Sequence, residues 1–210
     1  AIWLRNGQVV KDGPAVETVA EYLGEGLGLS AERTWKSESA PGGEIARVAA
    51  VRLRTETGEV TDCIDVRTGF CIELELDVLQ EGKGIIVLHG VQNGDGTQVF
   101  SAVDTNNPTL HKKNWPKGRH LVRMWIPGNL LQVDTYTVET YIAAWEPVQV
   151  DQFYERNLLC FHVVDSYEQD SSRGNWGGTL PGVVRPLLKW DMQQVEGESI
   201  LDRSRSFAGR

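Results

Sequence analysis

Cysteine is scarce in this chain of 210 residues, which contains Cys63, Cys71 and Cys160 and no C-x-x-C pattern. Three cysteines at these spacings do not complete a disulfide framework, and Cys71 and Cys160 lie in apolar, strand-like runs. We therefore expect free thiols in a reducing compartment. Long apolar runs are also missing, because none approaches the roughly 18 residues that a membrane-spanning helix requires.

Positive charge is in deficit, since 21 lysine and arginine residues stand against 29 aspartate and glutamate residues. The formal net charge of −8 argues against a polyanionic partner such as nucleic acid. The fractions of hydrophobic residues (40%) and charged residues (24%) are typical of a globular protein. At this length the chain fits one sizeable domain with appendages.

Several motifs that carry chemistry are absent from the sequence. There is no P-loop pattern G-x-x-x-x-G-K-[ST], no G-x-S-x-G elbow and no H-E-x-x-H pair. We therefore expect no catalytic residues, no metal site and no cofactor. An alternative is a glycosidase-like pair of carboxylates, Glu139 with Glu73 or Glu75, which would have to lie about 5–10 Å apart.

What the chain does contain is a series of short β-type segments separated by turn signals such as Asn93-Gly94-Asp95-Gly96. The candidate strands are 45–54, 60–66, 70–79, 84–92, 97–103, 119–126, 135–145, 158–165 and 182–195. Eight or nine short strands with no long helical pattern predict an all-β fold, a β-sandwich or jelly roll.

The two ends of the chain differ from this β-rich body. Residues 1–25 predict a hairpin, turned at Asn6-Gly7, and then a helix that Pro14 opens. Residues 26–44 have the glycine- and serine-rich composition of a linker. The sandwich is predicted to span 45–195, and residues 196–210 form a polar tail.

Alternation within the strands predicts which side chains face outward. In strand 70–79 the even-numbered residues from Phe70 to Val78 are apolar and predict the core, and the odd-numbered ones predict the solvent face. The same even-inward phase in strands 119–126 and 135–145 leaves five functional candidates facing outward: Arg123, Trp125, Glu139, Tyr141 and Trp145.

These five residues suit carbohydrate recognition. An aromatic ring stacks on the apolar C–H face of a sugar, while carboxylate and guanidinium groups hydrogen-bond its hydroxyls. The opposite strand phase would bury Trp125 and Trp145 in the core, which is where tryptophan most often lies.

A distinctive segment closes the chain. The glycine-rich loop Arg173–Gly178 is followed by a predicted strand over 182–195, which Pro186 restricts to the edge of a sheet. An edge strand at a chain end is well suited to pairing with a second copy, so we expect a homodimer.

Three stretches resemble one family. They are AIWLRNGQVVKDGPAVETVAEYLG at the start, Ile126-Pro127-Gly128-Asn129-Leu130-Leu131 followed by Tyr136-Thr137-Val138, and the closing loop with Pro181-Gly182-Val183-Val184-Arg185-Pro186. Together they are similar to the Wzt-type ATP-binding subunit of O-antigen polysaccharide ABC transporters, specifically its C-terminal carbohydrate-binding domain.

The resemblance implies an immunoglobulin-like or jelly-roll β-sandwich, a homodimer, and non-catalytic recognition of the O-antigen polysaccharide coupled to its export. Residues 1–25 would be a remnant of the nucleotide-binding domain of a parent ATPase. The expected location is cytoplasmic, peripheral to the inner membrane through the membrane-spanning transporter subunit. Sugar-contacting residues differ between family members, so none is carried over. The alternative is a dimerisation or regulatory domain without glycan contact.

Overall fold

The structure is a computed structural model that describes residues 1–13, 30–106, 114–145, 148–166 and 170–193, together with Thr18 and Tyr22. Its strands are β1 (Ile2–Arg5), β2 (Gln8–Asp12), β3 (Glu32–Thr34), β4 (Ala46–Thr55), β5 (Cys63–Asp65), β6 (Phe70–Val78), β7 (Lys83–Asn93), β8 (Gln98–Val103), β9 (Asn114–Trp115), β10 (Gly118–Ile126), β11 (Asp134–Trp145) and β12 (Val150–Val164). None of the described segments forms a helix long and apolar enough to traverse a bilayer.

Ten of these strands form two sheets. The four-stranded sheet has the order β10-β6-β4-β3, and all its pairings are antiparallel. The six-stranded sheet has the order β5-β12-β11-β7-β8, with β9 paired to β7. Its pairings are antiparallel except that β5 runs parallel to β12. The predicted all-β sandwich is confirmed, and ten of the twelve strands among the described residues build it, where eight or nine were expected.

The two sheets enclose one hydrophobic core built from the alternate residues of each strand. Leu74 and Leu76 of β6 and Val122 of β10 enter it from the four-stranded sheet, and Val138 of β11 enters from the other. Phe161 of β12 joins the same cluster. Because every second residue along these strands is apolar, each sheet buries one face in the core and turns its other face outward.

The N-terminal hairpin is confirmed. Strands β1 and β2 pair antiparallel, and the turn residues Asn6 and Gly7 have φ values of 50° and 81°. Positive φ at both positions is what a two-residue type I′ turn requires. The helix predicted after it lies outside the described residues apart from Thr18 and Tyr22, and so does the tail over 196–210.

Part of the predicted linker belongs to the sandwich. Within residues 30–44, β3 pairs with β4 at the edge of the four-stranded sheet, and Ala31 lies in the core. An ion pair between Glu32 and Arg52 joins the two strands. This short strand depends on tertiary contacts that glycine- and serine-rich composition does not reveal.

The predicted closing strand over 182–195 is wrong for the residues that the structure describes. Only an isolated bridge between Val184 and Leu131 occurs there. The segment is instead fixed by the buried Arg185, whose guanidinium lies 2.6 Å from a carboxylate oxygen of Asp165. Beyond this anchor large apolar side chains are exposed, namely Leu187, Leu188, Trp190 and Met192.

Candidate functional site

The predicted strand phase of the candidate residues is confirmed. Val122 and Ile126 of β10 are buried, as are Tyr136, Val138 and Ile142 of β11. The two tryptophans face outward, since Trp125 is 53% exposed and Trp145 is 49% exposed. The alternative in which these rings belong to the core is therefore wrong.

The five candidates do not form one cluster, however. Arg123 and Trp125 lie on β10 in the four-stranded sheet, whereas Glu139, Tyr141 and Trp145 lie on β11 in the six-stranded sheet. The outer faces of the two sheets point in opposite directions because both inner faces share the core. The sequence therefore predicted two groups of outward residues and not a single site.

The outer face of the four-stranded sheet is a ladder of ion pairs, which we call the arginine face. It consists of Glu32, Arg52, Arg54, Glu73, Glu75, Asp77, Arg119 and Arg123. Arg54 and Arg123 donate to the two carboxylate oxygens of Glu73 over 2.7 Å and 2.8 Å. Arg123 is thus already engaged by a neighbouring strand.

The prediction that every odd-numbered residue of β6 meets solvent is wrong at two positions. Cys71 is fully buried, and Glu73 is only 2% exposed beneath the arginines of the flanking strands. Burial works to raise the pKa of Glu73, but the hydrogen bonds from Arg54 and Arg123 hold it below its usual value. The long arginine side chains cover the strand at the centre of the sheet.

The outer face of the six-stranded sheet has a different chemistry. We call it the tyrosine face and define it by Gln92, Gln98, Glu139, Tyr141, Tyr154 and Arg156. Tyr141 of β11 and Tyr154 of β12 are direct cross-strand partners, and their rings meet edge to face at 6.2 Å and 73°. Tyr154 is 54% exposed, so the pair offers aromatic surface to solvent.

Hydrogen bonds orient the aromatic groups of the tyrosine face. The Tyr154 hydroxyl donates to Glu139 over 3.3 Å and accepts from Nε of Arg156 over 2.6 Å. The Tyr141 hydroxyl donates to Asp151 and accepts from the amide of Gln149 over 2.6 Å. The bond to the Asp151 carboxylate is the main reason that the pKa of Tyr141 is raised.

A glycine forms the floor beside Glu139. Gly90 of β7 lies between Ser101 and Glu139 in the strand register. A Cβ atom at this position would overlap the Glu139 carboxylate and would lie 2.6 Å from the Gln98 amide nitrogen. The missing side chain therefore lets a carboxylate and an amide from two strands converge on one spot.

Trp145 shares this outward direction but lies at the end of β11, opposite Gly84. Four residues separate it from Tyr141, which corresponds to about 13 Å along a strand. Trp145 therefore lies on the same side of the sheet but outside the residues that define the tyrosine face.

Sequence reasoning missed Tyr154 and Arg156. The predicted strand covered 158–165 and so left out the residues before it. In the structure β12 starts at Val150 and continues through an irregularity, at which Asn157 has a φ of 52°. The alternation of Phe153, Tyr154 and Glu155 was the available signal, although the bulge masks it.

The geometry also excludes the glycosidase-like pairs. Glu139 lies on the tyrosine face, whereas Glu73 and Glu75 lie on the arginine face across the core. Such carboxylates cannot flank one glycosidic bond. What the tyrosine face does offer is aromatic surface, a carboxylate acceptor, and guanidinium and amide donors on a sheet of rigid strands.

Comparison with known proteins identifies the fold. No family model and no curated protein matches the chain. Among solved structures it matches the C-terminal domain of Wzt with a TM-score of 0.54 and 12% sequence identity, over 86% of this chain and 100% of that one. The chain has the Wzt C-terminal domain fold. The resemblance noted in the sequence is thereby confirmed at the level of the fold.

A second solved structure, the β-D-mannosidase from Dictyoglomus thermophilum, matches more weakly. The TM-score is 0.36 at 16% identity, over 53% of this chain and 13% of the enzyme. Both sheets of this fold have an outer face that a ligand could contact. The tyrosine face carries the aromatic pair of Tyr141 and the exposed Tyr154.

Proposed function

We propose that this chain is the non-catalytic glycan-recognition domain of the ATP-binding subunit of an O-antigen polysaccharide ABC transporter. The polysaccharide binds on the tyrosine face, and its binding is coupled to export. The domain acts on the cytoplasmic side of the inner membrane, in contact with the membrane-spanning subunit through its parent protein. The fold of the Wzt C-terminal domain supports this setting.

The observation that carries the proposal is the solvent-facing tyrosine pair with its polar surround. Tyr141 and Tyr154 are held edge to face, so a sugar ring can lie against the exposed Tyr154. Glu139 and Arg156 flank that ring within hydrogen-bonding reach of its hydroxyl. Carboxylates accept from sugar hydroxyls and guanidinium groups donate to them, which gives orientation to the bound ring.

The arginine face is a poorer candidate for the same ligand. Its carboxylates and guanidinium groups pair with one another, as Glu73 does with Arg54 and Arg123. A neutral glycan would have to replace charge-assisted hydrogen bonds with weaker ones. Trp125 remains an exposed aromatic ring on that side, and it provides a matched control.

Calorimetric titration of the chain with O-antigen polysaccharide from its source organism tests the proposal. We expect weak, saturable binding by the wild type and at least a tenfold loss in the double variant Tyr141→Ala/Tyr154→Ala, because each stacked ring contributes about 1 kcal/mol. Trp125→Ala removes an aromatic of similar exposure from the other face and should bind as the wild type does. Circular dichroism checks that both variants fold.

Two results would contradict this assignment. Absence of saturable binding by the folded wild-type chain would remove glycan recognition altogether. Loss of binding in Trp125→Ala with retention in the tyrosine double variant would move the ligand to the arginine face.

A second candidate function, assembly of a homodimer, is favoured by the exposed apolar segment after Arg185. Leu187, Leu188 and Trp190 are 61%, 62% and 88% exposed, and large exposed apolar groups in sequence are typical of contact surfaces. We expect light scattering to give a dimer at micromolar concentration and Leu188→Asp/Trp190→Asp to give a monomer. A dimer that forms but binds no glycan would favour a purely regulatory or assembly role.

A further inference from the structure

A small pocket opens at one end of the arginine face, away from the tyrosine face. It has a volume of about 250 Å³ and lies where the start of β4, the end of β6 and the start of β10 meet the loop around Ser37. Its charged lining residues are Arg47, Asp77, Lys117 and Arg119. Three cations thus surround a single carboxylate, on a chain whose formal net charge is −8.

Among the described residues, Arg119 is the only one of these three cations with an ion-pair partner. Arg119 donates two hydrogen bonds to Asp77, over 2.8 Å and 2.9 Å, and lies 3.6 Å from Glu75. Asp77 is therefore fully engaged by a bidentate contact. Arg47 is the partner of Asp77 in the strand register but makes no hydrogen bond or ion pair with it among the described residues.

Arg47 is left without an acceptor in the part of the chain that the structure describes. Its Nε atom is buried and has no hydrogen-bond partner. No ion pair to Arg47 occurs among the described residues, so its positive charge is available to an anion at the lining of the pocket. Lys117 is exposed at the rim and has no ion pair among the same described residues.

The backbone holds Arg47 in this position. Gly42 forms a bridge with Arg47, and a Cβ atom on Gly42 would lie 2.6 Å from Cα of Arg47 and 3.0 Å from its Cγ. The loop can approach the arginine stem this closely only because residue 42 has no side chain. The neighbouring Val48 amide also donates to the Pro41 carbonyl over 2.8 Å. The backbone and the first side-chain atoms of Arg47 are thus held in place beside the pocket.

We propose that this pocket binds an anionic group, a phosphate or a carboxylate, between Arg47 and Lys117. Arg47 belongs to β4 and Lys117 immediately precedes β10, and these two strands flank β6, so a guanidinium and an ammonium line one pocket and match the oxygens of such a group. The volume is below the roughly 300 Å³ at which pockets for drug-sized ligands begin, so the site fits one charged substituent and not a whole oligosaccharide. The inference does not depend on glycan binding at the tyrosine face.

Titration of the ¹⁵N-labelled chain by NMR at constant ionic strength tests the site. The probes are inorganic phosphate, D-glucuronate and uncharged D-glucose. We expect saturable shifts at Ser37, Lys117 and Gly118 with phosphate or glucuronate and none with glucose. Tighter binding of phosphate would assign a phosphoryl group as the ligand, and tighter binding of glucuronate would assign an acidic sugar.

Variants separate a built site from general charge attraction. Arg47→Gln/Lys117→Gln should bind the preferred anion at least about tenfold more weakly, because two charge-assisted contacts are lost. Arg5→Gln/Lys189→Gln removes one arginine and one lysine charge at exposed positions outside both proposed sites and should bind as the wild type does. Lys117→Gln alone changes only an exposed side chain and gives a second test if the double variant does not fold.

The proposal would be overturned by shifts that rise linearly without saturation for both anions. Equal weakening in the pocket variant and in the control variant would overturn it as well. Loss of glycan binding at the tyrosine face would leave the anion titration unaffected, so the two proposals fail separately.

Discussion

On the arginine face each described carboxylate meets a guanidinium from the next strand, whereas on the tyrosine face the hydroxyls are hydrogen-bonded but the ring of Tyr154 remains exposed to solvent. Glu73 is shared by Arg54 and Arg123, and Arg52 reaches Glu75 over 2.5 Å. Tyr154, by contrast, keeps 54% of its surface exposed. The ion pairs of the arginine face link β4, β6 and β10. The exposed aromatic surface of the tyrosine face remains available to a ligand.

Both faces arise from the same alternation of side chains, so an outward position alone does not indicate its role. That role depends on which side chains lie opposite on the neighbouring strands. Where an arginine finds a carboxylate on the adjacent strand, the pair acts mainly on stability. Where a tyrosine is paired with another tyrosine and a glycine lies beside the neighbouring carboxylate, surface is left for recognition.

The largest expected effect is a loss of stability at acidic pH, and it comes from a buried histidine in the six-stranded sheet. His89 of β7 is buried against Thr140, and burial lowers its pKa from 6.5 to about 4. Below pH 6.5 the unfolded chain binds a proton that the folded chain does not, so stability falls as the pH drops from 6.5 to about 4. The loss is roughly 3 kcal/mol by pH 4. Urea denaturation at a series of pH values measures it.

The variant His89→Gln isolates this contribution. It should reduce the pH dependence of the unfolding free energy between pH 6.5 and 4, and His162, whose pKa is also lowered by burial, accounts for part of what remains. Glu73 affects stability at lower pH than His89 does. Its pKa in the folded chain is depressed below 4.5, so its contribution to the unfolding free energy is lost only as the pH falls further. Parallel pH profiles for the wild type and His89→Gln would contradict the assignment.

The next largest effect is the loss of the central carboxylate of the arginine face. Glu73→Gln leaves Arg54 and Arg123 with a neutral acceptor at a buried position, and we expect about 2 kcal/mol of destabilisation. The exposed loop residue Glu81 offers the control Glu81→Gln, which should change the unfolding free energy by less than about 0.5 kcal/mol. Glycan binding should be unchanged in both variants. Equal stability of the two would show that the ladder contributes nothing.

A smaller effect is expected at the floor of the tyrosine face. Gly90→Ala inserts a methyl group where the Glu139 carboxylate and the Gln98 amide lie, which costs about 1 kcal/mol through overpacking. Glycan affinity should fall with it because both polar groups are displaced. Gly177 has open space around it, so Gly177→Ala is the control and should change neither the melting temperature nor the binding.

The smallest effect on stability is expected for Glu139→Gln. The carboxylate accepts from Tyr154 over 3.3 Å, and its removal should change the unfolding free energy by less than about 0.5 kcal/mol. Glycan affinity, measured by calorimetry, should drop by about threefold to tenfold, because a charged acceptor becomes a neutral one. Glu38→Gln changes the same charge at an exposed loop position and should bind normally. Unaltered affinity in Glu139→Gln would remove this residue from the site.

Much of the strand content could be predicted from the sequence, because burial imposes a period of two. The inward residues of β6, β10 and β11, such as Leu74, Val122 and Val138, follow from alternation alone. The Asn6-Gly7 turn was likewise predictable, since its positive φ values favour these two residue types. Local physics determines these features.

The assignment of strands to sheets could not be predicted in the same way. Strands β10 and β11 follow one another in the chain, and successive strands are neighbours in most proteins. Here the chain crosses between sheets after Ile126, and β10 pairs with β6 while β11 pairs with β7 and β12. Pairing between strands that are distant in sequence therefore places the candidates on β10 and those on β11 on different faces. Side-chain alternation alone had put them on one face.

The irregular parts were also beyond sequence patterns. Tyr154 lies before a bulge whose polar residues resemble a turn, and β3 is a three-residue strand within a segment of linker composition. In both cases the strand persists because a neighbouring strand supplies hydrogen bonds and ion pairs. Such contacts are visible only once the sheets are assembled.

The anchoring of Arg185 limits where the exposed closing segment can reach. Arg185 donates from its backbone amide to Leu130 over 2.8 Å, and Leu187 donates to Asn129 over 3.2 Å. Trp190 follows Leu187 by three residues, so its backbone can extend at most about 11 Å from that fixed point. Any surface that covers the Trp190 ring must therefore come close to the crossover loop around Asn129. The sandwich thus determines the distance at which a partner engages this segment.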